Sequence, residues 1–238
     1  MYLPMGYSRA ARRYPVVYFL HGLPANPGSY LGLGWVAQAL ASSGREAILV
    51  VPQGTRVVNG DPEYHDWGPG ANWETALAEE LPAWIEGRYR TVAHRHGRAI
   101  VGLSAGGYGA SIIGLHRPAT YAAIQSWSGY FHPTDPSGTR TRSVGSSADN
   151  DDADVEALVP HLRSQFRTHP TSFAFYVGAA DPTFVPANTS LQRSLTAAGV
   201  EHVFRLYPGG HSQTLWQAHA GAWLRLALDA LERAQELG

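Results

Sequence analysis

The chain contains no cysteine and no lysine; all 18 of its basic residues are arginine. The first absence excludes disulfides, thiolate nucleophiles and cysteine-based metal sites. The second excludes Schiff-base and lysine-nucleophile chemistry. Neither sign of charge dominates: the formal net charge is −1, which gives no electrostatic case for nucleic acid or an anionic membrane as partner. There is no apolar run of about 18 residues and no basic-then-apolar leader at the start. The chain as given therefore reads as soluble, and cytoplasmic and secreted locations are equally open. What is present is 238 residues with 44% hydrophobic content, enough for one core and one α/β domain over 1–238.

Six short apolar runs alternate with helix-like stretches. They are Pro15-Val16-Val17-Tyr18-Phe19-Leu20, Ala47-Ile48-Leu49-Val50-Val51, Ala99-Ile100-Val101-Gly102-Leu103, Ala122-Ala123-Ile124-Gln125-Ser126-Trp127, Phe173-Ala174-Phe175-Tyr176-Val177 and His202-Val203-Phe204-Arg205-Leu206-Tyr207. Unbroken apolar strands indicate a parallel sheet covered on both faces. Helices are expected over 35–42, 74–88, 107–115, 191–198 and 215–234. In the last, Trp216, Ala220, Trp223, Leu224, Ala227, Leu228 and Leu231 recur at helical spacing.

One stretch breaks the alternation. Residues 134–154 are rich in Pro, Ser, Gly, Thr and Asp, and read as a flexible surface excursion, about 131–157 with its flanks. Its run Asp149-Asn150-Asp151-Asp152 lacks the glycine and terminal glutamate of a calcium loop and reads as solvated. His94 and His96 lack a further ligand at metal spacing, so neither a metal nor a cofactor is expected.

The chemistry centres on Gly102-Leu103-Ser104-Ala105-Gly106, a G-x-S-x-G that directly follows the apolar run from Ala99. A strand that ends in a sharp turn and opens a helix presents the serine as a nucleophile, and bulk two residues to either side would clash. A serine hydroxyl needs a neutral imidazole to take its proton, and a carboxylate to fix that imidazole's tautomer. In a parallel sheet these groups meet only in loops at the C-terminal strand ends. Asp181 lies four residues beyond Val177, and His211 four beyond Tyr207, each after its own strand. Asp151, Asp152 and Asp154 fall in the excursion, where nothing would orient an imidazole, and Asp61, Glu63 and Asp66 read as substrate-side.

The oxyanion hole is expected from backbone N–H groups, that of Ala105 after the nucleophile and that of Leu23 after His21-Gly22. The His21 side chain itself reads as an organiser of that loop. Trp67, Tyr108, Trp127 and Phe131 lie in segments that could reach the site and are the candidate substrate contacts; Trp73 and Tyr130 lie nearby, and core packing is an equal reading for Trp73 and Trp127.

Taken together, these residues resemble the esterase D-like family of α/β hydrolases, which includes S-formylglutathione hydrolases, feruloyl and acetyl-xylan esterases and secreted mycolyltransferases. The resemblance runs through Tyr2-Leu3-Pro4, Tyr14 to Gly22, Trp73-Glu74-Thr75 and Glu80-Leu81-Pro82. It continues in Gly102 to Ala110, Ser128-Gly129, Gly178 to Asp181, and Gly209-Gly210-His211-Ser212 with Trp216. It implies an α/β-hydrolase fold, a Ser104–His211–Asp181 triad and hydrolysis of small acyl or aromatic (feruloyl-type) carboxylic esters. Acyl transfer to a sugar hydroxyl, or a non-catalytic binding protein on the same fold, are the rival readings.

Three departures qualify the resemblance. An aspartate where the mycolyltransferases use glutamate leans towards the esterases. His21-Gly22-Leu23-Pro24-Ala25, where the formylglutathione hydrolases carry H-G-L-T-C, speaks against glutathione thioesters. Tyr2-Leu3-Pro4 corresponds to the end of an early strand, so the usual opening hairpin is expected to be missing. That would leave Ala47-Ile48-Leu49-Val50-Val51 at the sheet edge, to be covered by the N-terminal segment or by a second subunit in a homodimer.

Overall fold

Each of the six apolar runs forms a parallel strand. The computed structural model describes residues 1–53, 63–135 and 140–236. The strands are β1 Val16–Leu20, β2 Ile48–Val50, β3 Arg98–Leu103, β4 Ala123–Trp127, β5 Ser172–Gly178 and β6 Val203–Tyr207. They hydrogen-bond in the order β2-β1-β3-β4-β5-β6. The helices are α1 Gly34–Ser42, α2 Trp73–Thr75, which runs through a π-helical turn Ala76–Glu80 into α3 Leu81–Glu86, then α4 Ala105–His116, α5 Ser147–Asp152, α6 Val155–Thr168, α7 Val185–Ala197 and α8 Gln213–Glu236. No helix among the described residues is long and apolar enough to cross a membrane.

Alternate strand residues feed two cores, one on each face of the sheet. Val16, Tyr18 and Leu20 of β1 join Ile100 and Ile124 under α4, α6 and α7. Val17 and Phe19 join Val101, Trp127 and Tyr176 under α1 and α8. Burial on both faces is why β1 to β5 read as continuous apolar runs rather than alternating ones.

The β2 edge is not bare. Residues 47–51 are all buried, and Tyr2 exchanges both backbone hydrogen bonds with Leu49, at 2.8 and 3.0 Å, as an antiparallel bridge. Of the two covers expected for the edge near Ala47 and Val51, the structure shows the first, the N-terminal segment. At the opposite edge no strand among the described residues pairs beyond β6, and Arg205 and Leu206 are exposed.

The stretch read as an excursion contains ordered helix; 136–139 lie outside the described residues. The acidic run is α5, not a loop. Ser146 caps it, its Oγ accepting from the Asp149 N–H while the Asp149 carboxylate accepts from the Ser146 N–H. This reciprocal pair satisfies two otherwise orphaned donors and starts the helix. Asp154 then caps α6, which buries Val155, Val159 and Leu162.

His116, in the last turn of α4, ties this segment down. Its Nδ1 lies 3.1 Å from Glu74 Oε2 and its Nε2 lies 3.0 Å from the Asp152 carbonyl. Both partners are acceptors, so both ring nitrogens carry protons and the ring is an imidazolium. Burial opposes that charge, but the hydrogen bond and charge of Glu74, with Asp152, hold the His116 pKa above its ordinary value. Burial likewise opposes the Glu74 carboxylate, and His116 and Arg117 outweigh it, holding its pKa below the ordinary value.

The signs of the two contributions follow. Stability from His116 is full below its unfolded value of about 6.5 and is lost as pH rises through the higher folded value. Stability from Glu74 is present above its unfolded value and is lost as pH falls through the lower folded one. His116→Gln is expected to lose ~1–3 kcal/mol near pH 6, and clearly less near pH 9. Urea unfolding at the two pH values checks this, and equal losses at both would contradict the charged assignment.

Candidate active site

Ser104 sits between β3 and α4 at φ 56°, ψ −121°. This is a region that residues with a Cβ adopt only when the surroundings force it. The surroundings do so by close packing. A Cβ at Gly102 would lie 1.8 Å from the Gly106 carbonyl oxygen, and one at Gly106 would lie 2.1 Å from that of Leu20. The two glycines of the motif are thus steric requirements of the turn. The Ser104 N–H donates to the Trp127 carbonyl at 2.9 Å, locking the elbow to β4.

The loops after β5 and β6 converge on the same point. Backbone bonds from Ala179 to Tyr207 (2.7 Å) and from Ala180 to Gly209 (2.8 Å) join them. Asp181, 3% exposed, accepts the N–H groups of Thr183 and Phe184 on Oδ1, each at 3.1 Å. Its Oδ2 lies 3.0 Å from His211 Nδ1. Because a carboxylate only accepts, Nδ1 carries the proton and Nε2 presents a lone pair. That Nε2 lies 3.0 Å from Ser104 Oγ. The three residues form one continuous hydrogen-bonded line, with the aspartate buried and the imidazole 31% exposed at the side chain.

The loop after β1 lies against the serine. A Cβ at Gly22 would come within 2.9 Å of Ser104 Cβ, so Leu23 follows directly on the contact. Ala105 is the first residue of α4, where N–H groups have no partner inside the helix. His21 is buried, and its Nδ1 donates to the Gly22 carbonyl at 2.9 Å. Burial lowers its pKa and that hydrogen bond only partly offsets the effect, which keeps the ring neutral.

Three of the four aromatic candidates do not face the site. Tyr108 and Trp127 are 0% exposed and Phe131 1%. Tyr108 stacks on Tyr130 and gives its hydroxyl proton to the Ala153 carbonyl at 2.8 Å. It also accepts from His65 Nε2 at 2.7 Å, and burial pushes the His65 pKa down to about 4, keeping the ring neutral. Trp127 packs edge-on to Phe19 and bonds Gln125. Phe131 packs against Phe175. They are core, because the hydrophobic gain of burying a whole ring outweighs what an exposed platform offers. Trp67 is 37% exposed, with the Arg142 guanidinium 4.8 Å above its ring.

Two aromatics not proposed from the sequence do touch the imidazole. Phe184 and Trp216 each have ring centroids 5.0 Å from that of His211. Trp216 is anchored by its Nε1–H donating to Ser128 Oγ at 3.0 Å. The available signal was position: Phe184 lies three residues after Asp181 in the same loop, and Trp216 lies five after His211 in the first turn of α8. Of the substrate-side acids, Glu63 is fully buried, Asp66 binds Thr75, and Asp61 lies outside the described residues.

Residues 1–222 match the family described as "Putative esterase". The chain belongs to the esterase family. Among curated proteins, the esterase Rv1288 of Mycobacterium tuberculosis is 33% identical over 128 residues, 53% of this chain and 28% of the relative. The endo-1,4-beta-xylanase/feruloyl esterase of Xylanibacter ruminicola is 30% identical over 130 residues, 51% of this chain and 18% of the relative. The chain thus matches only about a quarter or less of each of these longer relatives. Among solved structures, a ferulic acid esterase superposes with TM-score 0.79 at 24% identity, covering 96% of this chain and 90% of that one. An S-formylglutathione hydrolase from Agrobacterium tumefaciens gives 0.76 at 19%, covering 97% and 88%. The parallel sheet with helices on both faces is the α/β-hydrolase fold.

Proposed function

We propose that this chain hydrolyses carboxylic esters of small or aromatic acyl groups through an acyl-enzyme on Ser104. The observation that carries the reading is the unbroken line from Asp181 Oδ2 through His211 to Ser104 Oγ, each step at 3.0 Å. His211 Nε2 takes the hydroxyl proton as Ser104 Oγ bonds to the ester carbonyl carbon. The developing oxyanion is held by the N–H groups of Ala105 and Leu23. The tetrahedral adduct collapses as His211 returns the proton to the leaving alcohol. Water then gives a proton to the same nitrogen, attacks the acyl carbon and frees Ser104.

Two features support the finer assignment. The imidazole is part-exposed, so water reaches the deacylating nitrogen, which favours hydrolysis over transfer to a sugar hydroxyl. Phe184 and Trp216 flank the imidazole, with Trp67 exposed on the segment before α2, and these rings suit an aromatic acyl group. The Xylanibacter relative, whose name joins a xylanase with a feruloyl esterase, supports the same reading.

An ester panel tests this: p-nitrophenyl acetate to octanoate together with methyl ferulate. The expected result is a kcat/KM for methyl ferulate at least about tenfold above that for the octanoate ester, the scale of one or two well-placed aromatic contacts. Octanoate as best substrate would remove the aromatic assignment. Product formed mainly by transfer at high glucose or trehalose would favour the acyltransferase.

A further inference from the structure

We propose that Tyr64 is a positioning residue that aims the oxyanion loop. The inference rests on the ester-hydrolase reading above and adds to it a residue outside the triad and its loops.

In a trans peptide the carbonyl and the following N–H point in opposite directions, so fixing one aims the other. Two peptide planes lead into Leu23, and each has its carbonyl held. The Gly22 carbonyl accepts from the His21 ring, which aims the Leu23 N–H. The His21 carbonyl accepts from the Tyr64 hydroxyl at 2.6 Å, a short and buried bond, which aims the Gly22 N–H and sets the plane before it. Gly22 in turn lies directly on Ser104. A rotation of the His21–Gly22 plane therefore moves the loop donors relative to the nucleophile.

Tyr64 is built into this place rather than resting there. It is 2% exposed and its neighbour Glu63 0%. Both are non-glycine residues with left-handed backbone, Glu63 at φ 42° and Tyr64 at φ 57°, a conformation that costs energy and persists where the surroundings impose it. The Glu63 carboxylate accepts from the Tyr130 hydroxyl at 2.9 Å and from the Thr134 N–H at 3.3 Å, which pins the strained pair from behind. From the other side the Tyr64 ring lies flush on the nucleophile helix: a Cβ at Gly109 would be 2.3 Å from Tyr64 Cδ2. One side chain thus spans from α4, which presents Ser104, to the loop that presents the second donor, and fixes the distance between them.

The test is Tyr64→Phe, which keeps the ring on Gly109 and removes only the hydroxyl. Loss of a direct oxyanion donor costs about 10²–10³ in kcat, and mis-aiming one costs less. The expected result is a fall of roughly tenfold in kcat for p-nitrophenyl acetate with KM within about twofold. Affinity for a trifluoromethyl ketone, whose hemiketal oxyanion needs the same donors, should fall by the same factor. Gly109→Ala, which displaces the ring and keeps the hydroxyl, should show the same kcat-selective loss and decides the matter if the phenylalanine variant does not fold. An unchanged kcat overturns the proposal. So does a variant with lowered Tm whose affinity for the ketone is unchanged, since that is a structural role alone. Ser104→Ala run in parallel separates the two levels: retained turnover there overturns the esterase reading, whatever Tyr64 does.

Discussion

Ser104→Ala is expected to lower hydrolysis of p-nitrophenyl acetate by about 10⁵–10⁶-fold, to little more than the background of bound water attack. The size follows from what the hydroxyl does. Without Oγ no acyl-enzyme forms, and His211 is left with only a water to activate in a site shaped around an attached nucleophile. Alanine removes one buried-edge atom and leaves the backbone at φ 56° to be held by Gly102 and Gly106 as before. Folding should therefore survive, with far-UV circular dichroism and Tm close to those of the parent chain. A variant that folds and still turns over within about tenfold of the parent would remove Ser104 from the mechanism.

Asp181→Asn is expected to lower kcat by about 10⁴-fold with little change in KM, by the precedent of the serine-protease aspartate. The local hydrogen bonding makes the outcome specific here. Oδ1 already accepts two backbone N–H groups, from Thr183 and Phe184, and only an oxygen can fill that place. The asparagine must therefore turn its NH₂ towards His211 Nδ1. That nitrogen then becomes the acceptor, the proton moves to Nε2, and Nε2 can no longer take the proton of Ser104. Single-turnover acylation rates check this, and a loss below about tenfold would mean that the carboxylate does not set the tautomer.

Much of the architecture was legible because parallel strands buried on both faces leave an unmistakable mark. All six runs are strands, and Ser104, Asp181 and His211 each follow one, so the sheet's common edge gathers them. The β2 edge was legible as a problem and less so as a solution: that Tyr2 pairs with Leu49 depends on a chain path which periodicity does not encode. The excursion was misread on composition. Ser146 and Asp149 carry a capping pair three residues apart, and Val155, Val159 and Leu162 recur at helical spacing, yet the polar residues between and Pro160 inside α6 obscure both.

Three of the four aromatic assignments failed for a different reason. Position in a strand-end loop says which end of the sheet a residue occupies, not whether its ring points out or in. Trp127 could have been placed by period two, since Gln125 and Trp127 share the face under α8. Tyr108, one turn beyond Ser104, points beneath the elbow into the core. Tyr64 was not legible at all, because its role arises from two left-handed residues and a contact across 43 positions.

The central claim is that Ser104 is a nucleophile activated by the line through His211 and Asp181. Intact-mass and peptide spectrometry after treatment with a fluorophosphonate tests it most directly, because the probe reacts covalently with an activated serine and needs no knowledge of the natural ester. The account predicts one adduct per chain, on the peptide containing 102–106, lost in Ser104→Ala and strongly slowed in Asp181→Asn. A folded chain that takes up no probe, or carries it on another residue, would contradict it.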